Sequence, residues 1–105
     1  MHVERAAELP NLSGLTALQD LAISYCPKLK RIGKLGALLA LKKLELENLN
    51  ELQELPDLRG LTVLKALHIR NCPELMNLPE CIVELTALKN LRIRNAGRGR
   101  VLGAA

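Results

Sequence analysis

Leucine and isoleucine recur in a fixed phrase, Leu-x-x-Leu-x-(Leu/Ile)-x-x-(Cys/Leu/Ala). It reads "LQDLAISYC" from Leu18, "LKKLELENL" from Leu41, "LKALHIRNC" from Leu64 and "LKNLRIRNA" from Leu88, with starts 23, 23 and 24 residues apart. A second column, Leu9, Ile32, Leu55 and Leu78, keeps the 23-residue step, and proline follows three of its members at Pro10, Pro56 and Pro79. Inside each phrase Leu21 and Ile23, Leu44 and Leu46, Leu67 and Ile69, and Leu91 and Ile93 alternate with period two. That spacing predicts four strands with one buried face. Each strand must be regained after one full turn of the chain, so neighbours run parallel, joined by a return path of loop and short helix. Leu29, Leu52 and Leu75 line that path, as do Leu15, Leu38, Leu61 and Leu85. The expected architecture is a solenoid whose turns bury each other's apolar faces. Residues 1–8 form a lead-in, 9–96 the repeat domain, and 97–105 a flexible tail.

Composition narrows the picture. With 105 residues the chain holds one domain. Tyr25 is the sole aromatic residue, so the core is aliphatic. The net charge of +4 reflects mainly Arg92, Arg94, Arg98 and Arg100 near one end. "MHVERAAELP" lacks the apolar run of a signal peptide, and no window is long and apolar enough for a membrane span. A cytoplasmic location without membrane contact is the expectation. The sequon at Asn11–Ser13 is read as chance on the same ground.

Three cysteines, Cys26, Cys72 and Cys81, make a poor disulfide framework. Cys26 and Cys72 occupy equivalent places two turns apart. At about 4.8 Å per strand their Cα atoms lie roughly 9–10 Å apart, beyond the ~7 Å limit for a bridge. A metal needs converging ligands, and His68 should point away from Cys72. A nucleophilic thiolate needs a base and access. Both residues are therefore expected in the core, with Cys81 peripheral and the more readily oxidised.

The alternate strand positions form the opposite face of the sheet. Column three reads Asp20, Lys43, Ala66, Asn90; column five Ala22, Glu45, His68, Arg92; column seven Ser24, Glu47, Arg70, Arg94. The first strand is small and polar, the second acidic in two columns, and the last two basic. As a merely solvated face it would hold a Glu47–Arg70 pair worth a fraction of a kcal/mol. As a binding face its like charges, Arg70 beside Arg94 and His68 beside Arg92, would be offset by an acidic protein partner. Solenoids commonly bind on their concave side. The candidate site is thus Asp20, Ser24, Lys43, Glu45, Glu47, His68, Arg70, Asn90, Arg92 and Arg94.

The phrase resembles the leucine-rich repeat over Leu9 to Ala96. "SYCPKLKRI" and "RNCPELMNLPECIVELTALKNLRI" are similar to the repeats of plant intracellular nucleotide-binding leucine-rich-repeat disease-resistance receptors. The resemblance implies an α/β solenoid of about four 23–24-residue repeats, with a parallel sheet on the concave face and loops and short helical turns on the convex one. It implies an inward ninth position, usually Asn or Cys, that satisfies backbone groups in the bend. It also implies recognition of a protein effector and restraint of a nucleotide-binding switch. Leu49 and Ala96 break the cysteine column, and the chain has no phosphate-binding loop. The Ras-type leucine-rich repeat, a scaffolding unit with Asn at position nine, is the nearest alternative, and a fragment or designed array fits the short length.

Catalysis finds no support. There is no Gly-x-Ser-x-Gly, no His-Glu-x-x-His and no glycine-rich phosphate cradle, and Glu45 and Glu47 lack an apolar pocket. No cofactor or metal is expected. The terminal arginines lack interleaved aromatics for nucleic-acid stacking. Solenoid ends need polar covers, and "MHVERAAE" offers little, so self-association through bare repeat ends is a further expectation.

Overall fold

A computed structural model describes residues 1–9, 11–12, 14–32, 35, 37–55, 58, 60–75 and 85–96, with Ala96 described by its backbone alone. Five strands make one parallel sheet in chain order: β1 His2–Glu4, β2 Asp20–Ser24, β3 Lys43–Glu47, β4 Ala66–Cys72 and β5 Asn90–Ala96. The period-two pattern sets their faces. Leu21, Ile23, Leu44, Leu46, Leu67 and Ile69 are each at most 1% exposed. Equal spacing sets their register: Leu21 pairs with Leu44, Leu44 with Leu67, and Leu67 with Leu91.

β1 is absent from the pattern read from sequence. Val3 pairs with Ile23, 20 residues on, where Ile23 and Leu46 are 23 apart. The first return path is shorter by the three-residue turn that Leu29, Leu52 and Leu75 close later, by bonds to the carbonyls of Cys26, Leu49 and Cys72. Ala6 accordingly lies beside Cys26, its N–H 3.4 Å from the sulfur.

The expected short helical turns are not there: no helix occurs among the described residues. Single turns follow one another at period three. Leu15 donates its N–H to Leu12 and Leu18 to Leu15; Leu38 to Leu35 and Leu41 to Leu38; Leu61 to Leu58 and Leu64 to Leu61. An α-helix advances 100° per residue, so leucines three apart would drift about 60° per step around its surface. A chain of i→i+3 turns returns every third side chain to the core. Gly60 takes a φ of 96° in the Leu58–Leu61 turn, a backbone value that a side chain would resist.

The expectation of four repeats is corrected as well. The solenoid makes about three turns at the full 23–24-residue spacing, from β2 to β5, to which the shorter β1 connection adds a partial one; residues 76–84 lie outside the described residues. Cys81, the Leu78–Pro79 pair and the tail 97–105 also lie outside them. The core is a single cluster of leucine, isoleucine, valine and two cysteines. It thins at both ends, where Leu15 is 39% and Leu91 44% exposed.

Candidate functional site

The register brings the outward columns together as the repeat requires. Asp20, Lys43, Ala66 and Asn90 stand side by side, as do Ala22, Glu45, His68 and Arg92, and Ser24, Glu47, Arg70 and Arg94. β1 lengthens two columns, adding His2 beside Ala22 and Glu4 beside Ser24. These two residues escaped the sequence reading because the 20-residue offset hides "HVE" from a 23-residue search. The outlying signal was Val3, an apolar residue between two polar ones.

One predicted site residue behaves otherwise. Ser24, expected on the open face, is buried, and its Oγ lies 2.6 Å from His2 Nε2. Asp20, Arg70, Asn90, Arg92 and Arg94 are exposed, while Lys43, Glu45, Glu47 and His68 are half-buried. The ion pair on this face runs along one strand, Lys43 Nζ to Glu45 Oε1 at 3.1 Å, and both groups are solvated enough that it contributes little. Glu47 and Arg70 are register partners without an ion pair; the Glu47 carboxylate accepts instead from Asn48 Nδ2 at 3.3 Å. Among the described residues no carboxylate lies within 4 Å of the Arg70, Arg92 or Arg94 guanidinium.

These groups line a depression of about 190 Å³ on the sheet face, with Glu45 and Glu47 at one side and Arg70, Arg92 and Arg94 at the other, His68 between them. A larger, shallower hollow of about 920 Å³ lies at the strand exits, lined by Glu4, Arg5, Tyr25, Lys28 and Asn48 among others. Its charges are mixed and it holds no cluster of one sign. The smaller depression is the chemically distinctive one, because three neighbouring cations create an unspent positive field.

The strand exits show a second arrangement. Arg5, Tyr25, Asn48, Asn71 and Asn95 take positive φ, between 50° and 58°. Asparagine tolerates this left-handed backbone, and here its side chain works too. Asn71 Nδ2 donates to Asn48 Oδ1 at 3.0 Å and Asn95 Nδ2 to Asn71 Oδ1 at 2.9 Å, forming an amide ladder across the turns. The next position turns inward. Cys26 and Cys72 are fully buried, unbridged, and donate their thiols to the carbonyls of Ser24 and Arg70 at 3.3 and 3.6 Å. Burial pushes the Cys72 thiol up, opposed by backbone hydrogen bonds from Leu49 and Arg70 and aided by the Glu47 charge.

No group of three or more His, Cys, Asp or Glu among the described residues is placed to hold a metal, and none of their helices is long and apolar enough to cross a membrane. Comparison with protein-family models, with curated proteins and with solved structures finds no match to this chain.

Proposed function

We propose that this chain is a non-enzymatic protein-recognition module that takes an acidic segment of a partner onto the outward face of its sheet. The observation that carries the reading is the block of Arg70, Arg92 and Arg94 on neighbouring strands, without an ion pair among the described residues and sharing one depression with His68. Adjacent guanidiniums repel, and a folded chain keeps them together at a small cost that an anionic ligand removes. Arginine suits the task, since its planar fork binds carboxylates bidentately. The reading agrees with a leucine-rich-repeat assignment of the kind found in plant intracellular disease-resistance receptors, acting in the cytoplasm in effector sensing or autoinhibition. The 23-residue phrase and the buried cysteines at position nine support that assignment.

The test is titration of the purified chain with a fluorescent oligoglutamate peptide, read by anisotropy at two salt concentrations. The expected result is salt-sensitive binding that the combined substitutions Arg70→Glu, Arg92→Glu and Arg94→Glu abolish, while Arg31→Glu, on a return path, leaves it unchanged. Equal binding by the triple variant would remove the sheet face from consideration.

A further inference from the structure

Beyond ligand recognition, the two ends of the sheet are complementary to each other. Among the described residues β1 and β5 are its edge strands, and unpaired edges are templates for further pairing. Extending the register by one strand would set β1 of a second copy on β5, with Met1 beside Leu91, His2 beside Arg92, Val3 beside Ile93, Glu4 beside Arg94 and Arg5 beside Asn95. Met1 with Leu91, Val3 with Ile93, Glu4 with Arg94 and Arg5 with Asn95 are chemically matched, while His2 beside Arg92 repeats the basic pairing that His68 and Arg92 already make within the chain. Met1 and Leu91 are both 44% exposed, the large apolar side chains left open at the strand end of each edge. Glu4 and Arg94 are exposed and make no ion pair within their own chain among the described residues. Asn95 donates its amide to Asn71, while its Oδ1 accepts from no described residue. The incoming position carries Arg5, a donor, in the same left-handed conformation as Asn95.

We infer that this chain assembles head to tail, the β1 edge of one copy adding in parallel to the β5 edge of the next. The two-fold alternative, β5 against β5, would bring Arg92 and Arg94 of one copy against Arg92 and Arg94 of the other, and like charges oppose it. A β1-to-β1 contact would leave Leu91 of both copies open on the β5 edge. A heterologous contact of this kind does not close as a dimer; it continues into longer assemblies or a ring.

Molar mass measured by light scattering over a range of concentrations at low salt tests this. The expected mass rises past that of a dimer without a plateau there. Glu4→Arg and Arg94→Glu, each alone, should raise the concentration needed by roughly tenfold. The double variant should restore assembly. Mixing the two single variants should do the same, because each then meets the opposite charge on both edges, and this rescue shows that the single variants are folded. A monomer at every concentration, a plateau at the dimer, or single variants that neither the double substitution nor mixing rescues would overturn the proposal. Oligoglutamate binding stays a separate readout: Arg94 belongs to both contacts, so restored assembly of the double variant with weakened peptide binding shows that assembly needs only the Glu4–Arg94 complementarity and not the arginine block.

Discussion

At the scale of single residues, the strand exits hold most of what is particular to this chain. A left-handed backbone costs a side-chain-bearing residue about 1–2 kcal/mol, which asparagine mitigates and the ladder further offsets. Tyr25 occupies that conformation without an amide to contribute, φ 50° and 54% exposed. Tyr25→Asn is therefore expected to stabilise the fold by about 0.5–1 kcal/mol, seen as a higher urea midpoint. Asn71→Ala loses two ladder bonds and keeps the strain; it should lower the midpoint more than Asn71→Gly, which relieves the strain. Equal midpoints for the two would mean the backbone conformation carries no cost. The Cys72 thiol gives a pH signature. Because burial raises it, the native chain keeps a proton that the unfolded chain releases above about pH 8.5. Its contribution is full below that range and falls as pH rises toward the native value. Cys72→Ala should flatten the alkaline limb of the stability curve; an unchanged slope would assign that limb to other groups.

At the scale of elements, the turns of the return path carry as much of the core as the strands do. Leu58, Leu61 and Leu64 are fully buried, whereas Leu39 is 58% exposed. Leu61→Ala should cost about 2–5 kcal/mol, and Leu39→Ala should stay within about 0.5 kcal/mol, by chemical denaturation. The far-ultraviolet circular dichroism should show strand and turn without a helical double minimum. The strands were legible because alternation with period two has one structural solution once four copies share a step. The return path was misread because Leu-x-x-Leu at short range suits a helical turn and a β-turn alike, and only the hydrogen-bond partners separate them. In the site, the columns Glu45–His68–Arg92 and Glu47–Arg70–Arg94 followed from the repeat alone. The burial of Ser24 did not, because it depends on β1, which the first, shortened return path conceals.

At the scale of the whole molecule, stability should follow position along the stack. β3 has a complete turn on either side, whereas β5 leaves Leu91 open and Ile93 only half-buried. Amide hydrogen exchange should therefore be slowest in β3 and its neighbours and fastest in β5, since a solenoid opens from its ends. Uniform protection would point to a cover over β5 in solution, which the proposed head-to-tail contact would supply in a concentration-dependent way.

The constant register has a consequence for how such a chain can change over generations. Lys43 and Ala66 are register partners, so excising residues 43–65 would join Lys42 to Ala66 and lay β4 onto β2 with every column still aligned. Duplicating the same stretch would add a turn with equal ease. Length here is an adjustable quantity, altered by recombination in whole units, and the charge on the sheet face, Lys43, Glu45 and Glu47 in this unit, can be rescaled without redesigning the fold.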